Sequence, residues 1–202
     1  SVENGFDPLR YSANGIIAAI QYNTRENPVQ SYGGIYADLD LQFNQKWLGS
    51  TKNSVQVVYD FRKYIGLSKR NPATVLAFWQ RSSFKFGGDL PYLALPNTGD
   101  DAYARSGRGY TVGRFKGPSY FYLESEYRFP ITRNKLFSGV CFVNTQSASN
   151  NVNKELFNSW AWAGGAGLRV LFQKQSRTTI CFDYGIGQFG SRGFFIGLNE
   201  VF

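Results

Sequence analysis

The sequence contains no histidine, and this absence narrows the chemistry open to the chain. Without imidazole there is no base for a Ser-His-Asp triad, and the commonest metal ligand is also missing. The two cysteines cannot complete a usual tetrahedral metal site by themselves. No glycine-rich turn of the phosphate-binding type precedes a helix. We therefore expect no enzymatic activity, no metal and no cofactor.

Methionine is absent as well, so we expect a processed mature chain or a fragment of a longer one. The longest apolar run covers residues 16–20, far short of the ~20 residues of a membrane-spanning helix. Two cysteines are too few for a disulfide scaffold. By parity, Cys141 and Cys181 face opposite sides of separate strands, so we expect no bridge between them.

Aromatic residues make up 17% of the chain and glycine occurs 22 times, a composition typical of β-proteins. The net charge of +8 is the feature that would suggest a nucleic-acid ligand. However, the basic residues are scattered along the chain instead of clustering in one stretch. This dispersion favours a positively charged surface with no nucleic acid bound.

Apolar and polar residues alternate in about nine segments, as half-buried strands require. The pattern is clearest over residues 35–44, where five apolar side chains alternate with five polar ones. Many of these segments exceed the five or six residues usual in soluble sheets and match the ~9–11 needed to cross a bilayer at a tilt. The predicted strands cover residues 14–22, 35–44, 53–66, 73–86, 119–129, 136–145, 156–172, 178–188 and 193–202.

Each predicted strand has one apolar and one polar face. Periodicity alone does not separate a soluble sandwich, whose apolar faces pack together, from a membrane barrel, whose apolar face meets lipid. Strand length and the aromatic residues near strand ends favour the barrel. The last strand also favours it, because it places four apolar residues on one face and ends on an aromatic one. The residues in question are Trp47, Tyr64, Trp79, Phe129, Trp160 and Trp162 near strand ends, and Phe194, Ile196, Leu198 and Phe202 on the last strand.

Residues 87–117 form the longest stretch without strand alternation, and Gly107, Arg108, Gly109 and Tyr110 lie at its centre. Long loops in compact domains are usually functional or disordered, and this one carries too many apolar side chains for disorder. Ordering it costs roughly 3 kcal/mol in closure entropy, so its tip needs an anchor. Arg108 between two glycines is suited to bind a carboxylate closely. On residue type alone, a surface arginine in a mobile loop is an equal alternative.

Several stretches occur in the order found in a known family. The chain resembles the C-terminal part of the outer-membrane assembly-factor superfamily, also called bacterial surface antigens. That superfamily includes the central subunit of the barrel-assembly machinery and the two-partner secretion transporters. The matching pieces are residues 22–28 with the glycine pair after them, 90–99, the Arg-Gly-aromatic core at 108–110 followed by 113–115, 126–130 and 142–144.

The resemblance implies that the long loop folds back into a barrel and that Arg108 contacts the inner wall. Glu124 and Glu126 share one face of the following strand, and Asn144 lies one strand further on. Strand order alone therefore indicates these three residues as partners for Arg108, without reference to the family. The chain departs from the family pattern at Asn144, where an aspartate is usual, and at Gly107, where an aliphatic residue is usual. We therefore expect Glu126 to be the main partner of Arg108.

We expect an all-β fold: one antiparallel transmembrane β-barrel domain of about nine or ten strands over residues 1–202, with the long outer loop in its lumen. An odd strand number is unusual for a closed barrel. Residues 1–11 would supply a tenth strand, or the chain is a piece of a larger barrel, or a second copy or another protein completes it. No client-binding periplasmic domain is present in this sequence.

The expected location is the bacterial outer membrane, with the lipid bilayer and other outer-membrane proteins as partners. The expected function is non-enzymatic participation in the insertion or translocation of proteins. One alternative is a small structural or accessory barrel that acts through partner proteins or lipid and inserts nothing. A third interpretation is a soluble basic β-sandwich that binds a ligand or nucleic acid.

Overall fold

A computed structural model describes residues 10–149 and 155–202. The described residues form one antiparallel sheet of nine strands in sequential order, so the all-β prediction is confirmed. Two single-turn 3-10 helices, Lys46–Leu48 and Tyr92–Ala94, lie in connections between strands. The strands are β1 (Gly15–Asn23), β2 (Gly34–Asn44), β3 (Ser54–Gly66), β4 (Val75–Gly88), β5 (Tyr120–Pro130), β6 (Phe137–Ala148), β7 (Ala161–Gln173), β8 (Thr178–Gly187) and β9 (Arg192–Leu198).

The described residues contain no helix that is both long enough and apolar enough to cross a membrane.

The sheet has its polar face buried and its apolar face exposed, the reverse of a soluble sheet. On β5, Leu123 and Tyr127 are 41% and 43% exposed, whereas Glu124 and Glu126 are completely buried. The exposed apolar row is not covered by a second layer of the described chain, since all nine strands belong to one sheet. Such a sheet is stable only if its outer face meets something less polar than water.

Successive connections alternate between the two ends of the strands, which we call the turn end and the loop end. The turn end holds the connections 24–33, 67–74, 131–136 and 174–177, and the loop end holds the longer excursion between β4 and β5. At the turn end, Asn27 Nδ2 donates a hydrogen bond to the carbonyl of Ser176 (3.2 Å), and Arg177 pairs with Glu26 (3.1 Å). These contacts join opposite margins of the sheet, so the sheet curves strongly around its polar face.

Curvature brings the margins of the sheet together without pairing its edge strands. Every ladder among the described residues joins consecutive strands, and none joins β1 to β9. Barrel closure is therefore not observed. Of the residues expected to supply a tenth strand, 1–9 lie outside the described residues, and residues 10 and 11 are not in a strand.

The prediction that Phe202 shares the outer face of the last strand is wrong. Phe194, Ile196 and Leu198 are indeed exposed on β9, but Phe202 is 5% exposed on the concave side. Its ring lies 5.2 Å from that of Trp79. The reason is Asn199, whose left-handed backbone (φ 69°) ends the strand and turns the following residues inward.

The aromatic residues expected near the bilayer surfaces also divide between the two faces. Trp79 and Tyr64 lie buried on the concave side, together with Phe202. Trp47 and Trp162 are exposed. Strand ends alone therefore did not indicate which aromatic side chains point outward.

Candidate functional site

The long loop between β4 and β5 folds back against itself on the concave side of the sheet. Asn97 and Lys116 form an isolated antiparallel bridge across it. The backbone of Thr98 accepts a hydrogen bond from Gly113 N (2.8 Å) and donates one to Phe115 O (2.9 Å). The Thr98 side chain donates to Gln146 Oε1 on β6 (2.9 Å). The two arms of the loop therefore act as one unit attached to the wall.

A carboxylate fixes the turn that leads into the loop tip. Asp101 accepts hydrogen bonds from the backbone N–H groups of Ser106 (2.7 Å), Arg105 (2.9 Å) and Tyr103 (3.2 Å). Burial by itself would raise the pKa of the Asp101 carboxyl, but these N–H donors outweigh it and hold the pKa below its ordinary value. The carboxylate thus stays ionised and keeps the turn closed.

Arg108 at the loop tip is 1% exposed and lies among three carboxylates of the inner wall. Its guanidinium forms ion pairs with Glu124 and Glu126 of β5 and with Asp183 of β8, the last at 2.6 Å. The guanidinium carbon also lies 3.8 Å from the centre of the Phe142 ring on β6. A buried cation requires this degree of compensation, because unpaired burial of a charge is very unfavourable.

Asn144 contacts the loop in a different way from the one its position suggested. Its Nδ2 donates to the backbone carbonyl of Arg108 (2.9 Å), so the amide holds the main chain of the tip instead of the guanidinium. The carboxylate missing from position 144 is supplied by Asp183, two strands further along the sheet. The sequence offered one clue to this role, since Asp183 is the only charged residue of β8.

Further charged residues extend the site into what we call the inner-wall cluster. Arg169 of β7 pairs with Asp183 and, through Nε, with Glu200 at 2.8 Å. Arg128 of β5 pairs with Glu126 at 2.6 Å. The cluster thus holds three guanidiniums against four carboxylates, each at most 5% exposed. Its members are Arg108, Arg128, Arg169, Glu124, Glu126, Asp183 and Glu200.

Glycines on β7 and β8 form a groove that receives the backbone of the loop tip. A Cβ added to Gly185 would lie 2.7 Å from the nitrogen and 2.9 Å from the Cα of Gly109. A Cβ on Gly187 would lie 2.6 Å from the ring of Tyr110. Gly109 itself has φ +100°, a conformation that favours glycine, and faces the Ala163 side chain. Small residues on the wall therefore permit the close approach that brings Arg108 to its carboxylates.

Tyr110 attaches the loop tip to the loop end of β7 and β8. Its hydroxyl accepts a hydrogen bond from Gln188 N (2.9 Å) and donates one to the carbonyl of Trp162. Its ring packs edge-on against Phe115, with the centroids 5.0 Å apart. The tip residues 107–110 thus contact the wall through a charged side chain, an aromatic side chain and the main chain.

Replacing Gly185 with alanine is expected to lower the free energy of unfolding by about 1–3 kcal/mol, because the new methyl group meets the loop backbone and not a flexible side chain. Urea unfolding of the chain in detergent micelles would measure the change. Gly197→Ala is the matched control, since a Cβ there meets nothing within 4 Å. Equal stability of the two variants would contradict the close fit of tip and groove.

The structure brings together the predicted loop residues and the predicted wall residues, and it keeps the outer residues of β9 apart from them. Phe194, Ile196 and Leu198 point away from the cluster. Phe202 does reach it, because its carbonyl accepts a hydrogen bond from Arg128 (2.9 Å). Sequence reasoning missed Asp183, Arg169 and Glu200. The arrangement is a clamp: it fixes a long loop to four strands of the wall.

Comparison with known proteins agrees with this architecture. No protein with a curated description matches the chain. A family model described as the Omp85 superfamily domain matches residues 7–187. Since the match covers most of the 202 residues, the protein belongs to the Omp85 superfamily.

Proposed function

We propose that this protein is an outer-membrane β-barrel that takes part, without enzymatic activity, in the insertion or translocation of other proteins. Members of the Omp85 superfamily are non-enzymatic assembly factors and transporters, which supports this role. In this proposal the barrel domain includes all of residues 1–202. Its partners are the lipid bilayer of the bacterial outer membrane and the proteins that it handles.

The observation that carries the proposal is the combination of an inverted sheet with two edges, β1 and β9, that pair with no further strand among the described residues. The outer face of the sheet is apolar and the inner face holds the buried charge cluster, as a strand wall in lipid requires. In hydrocarbon, unpaired N–H and C=O groups on β1 and β9 would be very unfavourable. These edges must therefore pair with each other or with a strand from another chain.

The β1 edge has the properties of a surface that accepts a strand. All nine residues of β1 are exposed, and the exposures of Ile16, Ile17 and Ile20 are 56%, 62% and 74%. An added strand satisfies the edge through backbone hydrogen bonds, whatever its sequence. In the proposed mechanism, the loop clamp keeps β5–β8 rigid while the seam between β1 and β9 opens to receive a client strand.

The loop also reaches the end of the last strand. Arg105 donates hydrogen bonds to the carbonyls of Leu198 and Glu200, the second at 2.5 Å. These carbonyls lie at the end of β9 and just beyond it, where the chain turns inward. The loop thus connects the rigid wall to one border of the proposed seam, which gives it a means of controlling the opening.

A liposome assay tests the proposed activity. The full chain is reconstituted in liposomes, a urea-denatured outer-membrane barrel is added, and its folding is followed by the gel shift of unheated samples. We expect folding several times faster than in liposomes that contain an unrelated barrel of similar size at the same protein-to-lipid ratio. An equal rate in the two preparations would contradict the proposal and indicate a barrel without insertion activity.

A further inference from the structure

A cavity of about 310 Å³ opens on the concave side at the turn end of the sheet, and none of its described lining residues belongs to the long loop. All four turns of that end contribute to its wall. We call it the turn-end cavity. Its volume is at the lower limit of typical small-ligand pockets. The charged side chains that line it are Arg128, Lys135, Arg169, Lys174, Arg177 and Glu200.

The charge of this lining is strongly positive, because its described residues include five cationic side chains and one carboxylate, that of Glu200. Three of the five cations already have partners. Arg169 pairs with Asp183 and Glu200, Arg128 pairs with Glu126, and Arg177 pairs with Glu26. The excess charge therefore rests on the other two, Lys135 and Lys174.

Neither lysine has a carboxylate within 4.0 Å among the described residues. Lys135 instead faces the ring of Tyr32 at 5.8 Å, and Arg177 lies over the same ring at 4.2 Å. The Tyr32 ring thus holds two cations at the wall of the cavity. Lys135 also has a left-handed backbone (φ 60°), which its place in the tight turn between β5 and β6 imposes.

A second, independent feature indicates a missing partner. Arg128 is 5% exposed, yet its Nη1 atom has no hydrogen-bond partner among the described residues. A buried guanidinium N–H without an acceptor is unfavourable by at least as much as a lost charge-assisted hydrogen bond. Arg128 lines the cavity, so a ligand bound there can supply the acceptor.

We propose that the turn-end cavity binds a phosphate group. Two unpaired ammonium groups and the free edge of a buried guanidinium supply charge and several N–H donors. The hydroxyl of Ser138 adds a further donor to the lining. This set matches the several acceptor oxygens and the high charge density of phosphate.

Two sources of phosphate reach this place. One is a soluble phosphate or pyrophosphate, and the other is the headgroup of an anionic phospholipid, since the turn end lies where the strands leave the proposed bilayer. The recognition chemistry is the same for both. None of the described lining residues belongs to β1 or β9, so phosphate binding can be tested whether or not the protein inserts clients.

Binding is tested first with pyrophosphate, titrated calorimetrically into the detergent-solubilised full chain at fixed ionic strength. We expect one saturable site. The double variant Lys135→Gln/Lys174→Gln should weaken binding about tenfold or more, because it removes both unpaired charges. Lys69→Gln/Arg70→Gln is the matched control, since it removes two exposed charges from the same end but outside the cavity, and it should change affinity by less than about twofold.

Thermal unfolding and pyrophosphate binding in nanodiscs distinguish the two sources of phosphate. A lipid site predicts that the wild type, but not the lysine double variant, is thermally stabilised by phosphatidylglycerol relative to phosphatidylcholine. A soluble-ligand site predicts the same pyrophosphate affinity in both nanodiscs, with no stabilisation by phosphatidylglycerol. Absence of saturable binding to either probe, or equal loss in the two double variants, would overturn the proposal. Folding of each variant is checked by the gel shift of unheated samples.

Discussion

Arg108→Ala is expected to lower the free energy of unfolding by about 3–5 kcal/mol, the largest effect of a single substitution that we expect in this protein. Removing one partner of a buried ion pair leaves an uncompensated charge, and that accounts for the size of the effect. Here the remaining cluster would hold two guanidiniums against four carboxylates. Three of those carboxylates, Glu124, Glu126 and Asp183, would lose a direct partner.

Three measurements test this variant: unfolding by guanidinium chloride in detergent micelles, the gel shift of unheated samples and the protease resistance of the loop. Arg114→Ala is the control, because Arg114 belongs to the same loop but is exposed. Arg108→Lys should give an intermediate loss, since lysine keeps the charge but lacks the planar fork that bridges β5 and β8. Unchanged stability and unchanged protease resistance in Arg108→Ala would contradict the clamp.

Val143→Arg is expected to destabilise the protein in lipid by about 2–4 kcal/mol, the effect of a cationic residue near the middle of the bilayer on the lipid-facing side of a barrel strand. Val143 is 49% exposed on the outer face and lies near the middle of β6. If this face met water instead, the same substitution would change the stability by no more than about 0.5 kcal/mol.

Val112→Arg is the matched control for this experiment. Val112 is 64% exposed and lies in the long loop, outside the sheet. The measurement is urea unfolding of each variant in phospholipid vesicles. Equal stability of the two variants would rule out a lipid-facing outer surface and would favour a soluble sheet whose apolar face is covered by another protein.

Strand positions were predictable because they depend on local alternation. Over β5, the side chains of Phe121, Leu123 and Tyr127 alternate with Glu124 and Glu126, and backbone geometry sends alternate residues to opposite faces. The start of β7 and the end of β9 were less predictable. There, residues with a left-handed backbone, such as Phe157 and Asn199, interrupt the extended conformation. The alternation of apolar and polar residues does not predict such backbone changes.

The partners of Arg108 were predictable only in part, for a related reason. Glu124 and Glu126 follow the loop directly in sequence, so their place beside it follows from strand order. Asp183 lies 75 residues from Arg108, and no local pattern indicates that a curved sheet returns β8 to face β5. The glycine groove could not be predicted for the same reason, because the small size of Gly185 is important only where the backbone of Gly109 approaches it in the folded chain.

Period-two alternation is a local property, so the residues alone were enough to predict the strands, the polar face of each strand and the position of the long loop. Only the folded chain shows that Arg108 anchors this loop, which carboxylates bind it and where Phe202 packs. It also shows that β1 and β9 do not pair with each other among the described residues. These depend on the curvature of the whole sheet, which arises from the sum of strand twists and from the volume that the loop fills, and not from any single segment.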